Sequence, residues 1–315
     1  MRVLVRLPNW IGDAVNAIPL IKNLELSGHE VTGICHSRVL PVFEGLIRCE
    51  TFTKRREAKV KSLKLRGNFD YGIVLPTSFS SAFAMWLAHP PERIGFDGEG
   101  RNFLLTRVIK KDSFWKKEHI LKSYLRVLRP MGIQPQEFVP EVKVEPLDLS
   151  KFGLQNREYV AISPFANYGP AKEWPIENFV EVARMLEEKG MQPVFLGGPQ
   201  DREKAKGIGF INLIGKTTLS ETKSILRHAK GLLSIDSGLS HLGIAAGTRV
   251  LTIFLSTDPV WTAPYGPKGH WIYHRIPCSP CFKKTCPLGH YRCYNTVTPY
   301  EVFKKFMEII EQNYS

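Results

Sequence analysis

Three short segments of this chain hold residue types that can do chemistry. The first is Leu7-Pro8-Asn9-Trp10-Ile11-Gly12-Asp13-Ala14-Val15, directly after the apolar run Val3-Leu4-Val5. A strand that ends in a Gly-containing turn and opens a helix builds a ligand crevice at the carboxyl edge of a parallel sheet. This turn carries one acid, Asp13, and lacks the three glycines of a dinucleotide loop. A carboxylate there can take a proton from a hydroxyl. An Asp is also a favoured N-cap, which suits a helix predicted to begin near Ala14.

The second segment is Leu233-Ser234-Ile235-Asp236-Ser237-Gly238-Leu239-Ser240-His241. Here a strand ends, Asp-Ser-Gly turns the chain and a helix starts. Free N–H groups and the helix dipole suit a phosphate at such a place, although a plain Asp/Ser cap gives the same pattern. The third is the irregular loop from Ser163 to Pro175, which carries Lys172, a point charge suited to a pyrophosphate. Gly197-Gly198-Pro199 and Gly215-Lys216-Thr217 mark two further loops. Neither domain's first strand is followed by G-x-G-x-x-G, and there is no P-loop, which argues against dinucleotide oxidoreductases and NTPases. Cys278, Cys281, Cys286 and Cys293, with His290 nearby, are spaced as candidate ligands of a structural zinc, with reduced thiols in a compact loop or disulfides as the alternatives.

Alternating strands and helices must position these segments, which predicts an α/β fold with parallel sheets. Strands are expected at Val3–Leu7, Val31–Cys35, Tyr71–Leu75 and Arg93–Phe96, then at Tyr159–Ser163, Pro193–Leu196, Gly231–Ile235 and Val250–Phe254. Helices are expected at Ala14–Ser27, Val39–Leu46, Ser80–Ala88 and Glu118–Met131, then at Pro175–Lys189, Ser220–His228, Leu239–Ala246 and Tyr300–Gln312. The Pro- and charge-rich stretch from Gln134 to Arg157 reads as a linker. The expected division is therefore 1–150, 151–298 and a final helical segment, 299–315.

The chain has 315 residues, enough for two domains, and 43% hydrophobic composition suits a globular protein. No apolar run reaches the roughly 20 residues that span a bilayer. With a strand at Arg2, no signal peptide is expected, and a cytosolic chain needs no disulfide framework. The net charge of +13 is spread almost evenly between the two halves, but within the first half it clusters in two stretches, Lys54–Arg66 and Arg101–Arg129. Such stretches suit an anionic partner or a solvated face. Aromatic residues do not interleave with them in sequence, which makes nucleic acid the weaker partner.

Taken together, Leu7–Val15, Gly169-Pro170-Ala171-Lys172-Glu173-Trp174-Pro175, Leu196-Gly197-Gly198-Pro199 and Asp236–Leu242 resemble the bacterial ADP-heptose:lipopolysaccharide heptosyltransferases. The stretch from Cys278 to His290 resembles the branch that adds the second inner-core heptose, heptosyltransferase II. The resemblance implies a GT-B fold, with two Rossmann-like domains whose parallel sheets face a central cleft and a last helix crossing back to the first domain. It implies inverting transfer of L-glycero-D-manno-heptose from ADP-heptose to a heptosyl-Kdo2-lipid A acceptor. The acceptor would sit on the first domain and the donor on the second, at the cytoplasmic face of the inner membrane.

By the same resemblance Asp13 is the base, Lys172 serves the donor and leaving diphosphate, and Ser163, Asp236, Ser237, Gly238 and His241 bind the donor. Asn9, Trp10 and Gly12 shape the acceptor turn. No cofactor is required, zinc at the cysteine cluster is an added possibility, and the basic stretches would hold the acidic acceptor and membrane surface. The alternatives are heptosyltransferase I, another core heptosyltransferase of this fold, or a two-domain ligand-binding protein without catalysis.

Overall fold

A computed structural model of the chain describes residues 1–111 and 114–312. Asp112, one of two acids set against the second basic stretch, and the last three residues of the expected final segment lie outside the described residues. The chain forms two compact units, Met1–Lys143 and Val144–Ser315, with the division falling within the predicted linker.

The first unit is built on β1 (Arg2–Arg6), β2 (Glu30–His36), β3 (Arg48–Phe52), β4 (Tyr71–Val74), β5 (Glu92–Phe96) and β6 (Arg107–Ile109). Its helices are α1 (Ile11–Asn16), α2 (Ile18–Leu26), α3 (Leu40–Phe43), α4 (Arg55–Lys64), α5 (Phe79–Ala88) and α6 (Ile120–Leu125). The second unit holds β7 (Tyr159–Ser163), β8 (Gln192–Phe195), β9 (Ile211–Asn212), β10 (Leu232–Ile235), β11 (Val250–Phe254) and β12 (Gly269–Tyr273). Its helices are α7 (Ile176–Glu188), α8 (Leu219–His228), α9 (Gly238–Ala245), α10 (Pro259–Thr262) and α11 (Pro299–Glu311).

Each sheet has six parallel strands, and the two share one topology. The orders are β3-β2-β1-β4-β5-β6 and β12-β11-β10-β7-β8-β9. Read from the other edge, the second repeats the first, with β7 and β10 in the places of β1 and β4. The winding reverses between β1 and β4, and again between β7 and β10. These are the switch points at which open α/β sheets leave a crevice beyond the carboxyl ends of their strands.

The central strands are buried on both faces, as parallel strands under helices must be: Val3, Leu4 and Val5 in one sheet, Val160, Ile162, Leu233 and Ile235 in the other. Helix α7 buries Phe179, Val182, Ala183 and Leu186 along one stripe.

Two expectations are corrected here. The single helix expected at 14–27 is two, α1 and α2, because Pro19 stands in the first turn of the second and cannot donate within a continuous helix. The final segment forms α11, which packs on α7, and Val302, Phe306 and Ile309 are buried in the second unit's core. The basic stretch from Arg101 to Arg129 is not a uniform surface. Arg101 is fully buried and donates to the Phe96, Pro76 and Ser78 carbonyls. Burial brings its pKa down to about 10, while Glu99 and Asp97 act against the fall. Arg126 is engaged by Glu118 through two bonds of 2.7 and 2.8 Å.

Candidate functional site

In the second unit the switch point brings together residues that lie 64 positions apart in sequence. Asp236 follows β10, and Lys172 sits on the loop after β7. The Lys172 ammonium donates to Asp236 Oδ2 at 2.5 Å and reaches the Asp236 carbonyl at 3.4 Å. The same carboxylate oxygen accepts from Thr257 Oγ1 at 2.6 Å and Thr262 Oγ1 at 3.2 Å. Asp236 is 4% exposed and the Lys172 side chain 13%. Burial pushes the Asp236 carboxyl up, but the Lys172 charge and hydrogen bond, the Thr257 hydroxyl and His241 outweigh it. The net shift is downward, so the carboxyl stays ionised.

The three bonds converge on Oδ2, and through them Asp236 fixes the Lys172 ammonium at this point. Ser237 is the N-cap residue of α9, and its hydroxyl lies 3.2 Å from that of Ser234. The first turn of α9 contains no acid, so its N-terminal amides keep their positive character beside Lys172. His241 is buried in α9 and contributes to the Asp236 field. Ser163 ends β7, buried, with a hydroxyl that has no hydrogen-bond partner. Neither Ser163 nor His241 presents much surface to a ligand.

Sequence reasoning missed what holds Lys172 in place. Its ammonium lies 4.8 Å from the centre of the Tyr168 ring. The loop is then tied to the cysteine-rich segment. Tyr168 donates to the Phe282 carbonyl at 2.6 Å, Ala171 N–H to the Lys284 carbonyl at 3.0 Å, and Trp174 to the Tyr294 carbonyl at 3.3 Å. The Tyr294 hydroxyl closes the brace by donating to the Pro170 carbonyl. Gly169 permits the close approach: its φ is 144°, and a Cβ there would stand 2.5 Å from the Lys284 carbonyl oxygen.

Cys278, Cys281, Cys286, Cys293 and His290 line one small cavity of ≈ 20 Å³ and form no disulfide. Among the described residues, no three His, Cys, Asp or Glu side chains are grouped as a metal ion would require. The backbone amide of Tyr291 holds the Cys286 thiol below its ordinary pKa against the opposing effect of burial, with help from those of Leu288, His290 and Gly289. Burial raises Cys293.

In the first unit Trp10, exposed, is the N-cap residue of α1, so Asp13 is not the cap that its sequence position suggested. The helix starts at Ile11, which places Gly12 and Asp13 in its first turn beside the carboxyl end of β1. Asp13 is half-buried, and its charge adds to the burial that raises the Tyr124 hydroxyl pKa. Asn9 accepts from Arg6 at 2.9 Å. Arg6 is itself buried, donates to the Leu7 and Ile34 carbonyls, and is lowered by burial to about 10 with Cys35 opposing. Asn9 therefore braces the turn from within.

Comparison with known proteins adds to this geometry. The model of the family described as glycosyltransferase family 9 (heptosyltransferase) matches residues 59–292. Lipopolysaccharide heptosyltransferase 2 of Salmonella typhimurium is 26% identical, with 99% of each chain covered. Lipooligosaccharide heptosyltransferase 2 of Haemophilus influenzae is also 26% identical, over 85% of this chain and 87% of that protein. Among solved structures, E. coli ADP-heptose lipopolysaccharide heptosyltransferase II superposes with a TM-score of 0.82 at 23% identity, covering 98% of both chains. A family 9 glycosyltransferase from Veillonella parvula gives 0.86 at 19%, over 98% of this chain and 97% of that one. These structures share the fold described above, two parallel α/β sheets of the GT-B type.

Proposed function

The chain belongs to glycosyltransferase family 9, the heptosyltransferases, and from that premise we propose that it transfers heptose from ADP-heptose to the first heptose of a lipopolysaccharide inner core. It is an enzyme, a glycosyltransferase, which sets aside the reading as a ligand-binding protein without catalysis. The observation that carries the donor half is the buried Lys172–Asp236 pair at the β7/β10 switch point, next to the N-terminus of α9. An ammonium fixed at one point, with helix amides beside it, suits the diphosphate of a nucleotide sugar.

In this reading the acceptor hydroxyl attacks the anomeric carbon from the face opposite the diphosphate. A new carbon–oxygen bond forms as the bond to the phosphate oxygen breaks, and the configuration inverts. Asp13 takes the hydroxyl proton. Lys172 and the amides around Ser237 and Gly238 stabilise the ADP that leaves. Asp236 serves as a positioning residue for Lys172, and Asn9, Trp10 and Gly12 shape the turn that presents Asp13.

The chain acts in the cytoplasm, where its lipid-linked acceptor lies on the inner leaflet. In this reading attachment is peripheral; among the described residues no helix is long and apolar enough to cross a membrane. The cysteine segment braces the Lys172 loop. Metal analysis of the purified chain decides whether its thiols also hold zinc: one equivalent establishes the site and none removes it.

The deciding experiment is ADP release from ADP-heptose with heptosyl-Kdo2-lipid A and Kdo2-lipid A as alternative acceptors. Release with the heptosylated acceptor alone is expected. Release with the bare Kdo acceptor alone moves the chain to the first transfer of the core. No release with either overturns the donor assignment.

A further inference from the structure

The first unit carries a row of exposed aromatic rings that the transfer reaction does not use. Phe79, Phe83 and Trp86 recur at i, i+4 and i+7 on α5, which places them on one helix face. Their rings stack in sequence: Phe79 and Phe83 centroids are 6.2 Å apart at 11°, and Phe83 and Trp86 5.6 Å apart at 17°. Phe103, on the turn after β5, extends the row beyond Phe79 at 6.2 Å. Phe103 is 75% exposed, Trp86 41% and Phe79 40%. Three exposed rings joined through the half-buried Phe83 form a contiguous apolar patch, which a folded chain rarely leaves without a use.

The neighbouring helix supplies the charge. Helix α4 packs alongside α5, and Lys59 on it lies 5.2 Å from the centre of the Phe83 ring. The stretch from Lys54 to Arg66 holds seven cations against the single acid Glu57. Glu57 is turned back on its own helix, accepting from Thr53 and Lys54. Between these cations Val60 and Leu63 are about half exposed. The basic helix and the aromatic row, separate in sequence, are therefore neighbours in space. Glu99 accepts the Phe79 N–H.

We propose that the face formed by Phe103, Phe79, Phe83 and Trp86 with the cations of α4 docks on an anionic lipid bilayer. Aromatic rings favour the boundary between headgroups and acyl chains, and lysines and arginines beside them favour acidic headgroups. A protein partner fits less well, because the cores of protein interfaces are depleted in lysine. Position supports the choice. Phe79 opens α5 at the carboxyl end of β4, the neighbour of β1, so the row begins at the same sheet edge as Asp13. A bilayer held there would meet the edge that receives a lipid-linked acceptor. The inference deepens the acceptor reading above but is tested without acceptor, so the two fail separately.

The test is flotation of the full-length protein with vesicles of phosphatidylethanolamine and 30% phosphatidylglycerol, against vesicles of phosphatidylcholine. Binding to the anionic vesicles is expected, with weak binding to the neutral ones. Phe103→Ser with Trp86→Ser removes two exposed rings and is expected to weaken binding at least tenfold while cooperative thermal unfolding is kept. Lys59→Glu, read separately, is expected to weaken it about fivefold per charge lost. ADP release with a deacylated, soluble acceptor is expected to be unchanged in all of them. Wild-type protein that ignores anionic vesicles overturns the proposal, as does binding that survives the ring substitutions. Loss of single-stranded DNA binding in the same variants, without vesicle binding, overturns it in favour of nucleic acid.

Discussion

The two units run one strand order and put their reactive groups at the same topological point, yet they hold opposite charges fixed. Beside β1 the buried ion is a cation, Arg6, tied down by carbonyls and Asn9, and the half-exposed group is the acid Asp13. Beside β10 the buried ion is an acid, Asp236, and the group that it holds at the surface is the ammonium of Lys172. A shared fold thus yields two sites of opposite sign, one suited to accept a proton and one to accept an anion. The fold supplies the place, and the residues after β1 and β7 decide the chemistry.

Removing the acid on the first side has the largest expected effect. Asp13→Asn keeps shape and loses basicity, so turnover should fall about 100-fold or more, the usual scale for a general base. Affinity for ADP, measured by calorimetry, should stay near wild type because the groups proposed for the donor are on the other unit. A variant with near-normal turnover removes Asp13 from the mechanism and with it the contrast between the units.

On the second side the pair can be broken from either end. Asp236→Asn or Lys172→Met each leaves a buried charge without its partner, at a cost of about 3–5 kcal/mol in thermal or denaturant unfolding. The double variant should cost less than the sum of the two. Donor KM should rise in both single variants. The pH dependence follows from the lowered Asp236 pKa. A carboxyl whose folded value is depressed stabilises the protein above its unfolded value, near pH 4, and that stability is lost as the pH falls toward the folded value. Asp236→Asn should therefore flatten the acid limb of the stability profile. Additive single variants would show that the contact seen in the structure does no work.

A smaller effect is expected at Gly169. Alanine there must adopt a φ that L residues avoid and displace the Lys284 carbonyl, which implies a loss of about 1–3 kcal/mol. Because the strain falls on the brace, donor KM should rise more than kcat falls at saturating donor. Equal losses in both would mean that the brace does more than position Lys172.

What the sequence made legible follows from the same physics. The strands Tyr159–Ser163 and Val250–Phe254 were predicted at their observed bounds because both are apolar runs between clear turn signals. The edge strands β3 and β12 were not, since Arg48–Phe52 and Gly269–Tyr273 are half-exposed and mix polar with apolar residues. Helix α4 escaped notice because it buries little beyond Ala58 and Ser62 and shows no apolar stripe. At the site, Lys172 and Asp236 were each singled out, but their pairing was invisible, since only the strand order makes neighbours of β7 and β10. Thr257 and Thr262 carried no signal at all, being ordinary threonines until the chain folds them onto Asp236.

The mildest test concerns the brace itself. Tyr291 N–H and the three preceding amides face the Cys286 thiol and lower its pKa, while burial raises that of Cys293 on the same cavity. A thiolate is the reactive form, so limiting iodoacetamide should label Cys286 ahead of Cys293, with half-labelling at a lower pH. Mass spectrometry of the digested protein reads both. The label adds bulk next to the segment that holds Pro170 and Ala171, so donor KM should rise modestly while Asp13-dependent turnover persists. Cys293 reacting first would show that the amides do not stabilise the Cys286 thiolate. Protection of both thiols that a chelator then lifts would show a bound metal in their place, and the brace would owe its rigidity to that ion.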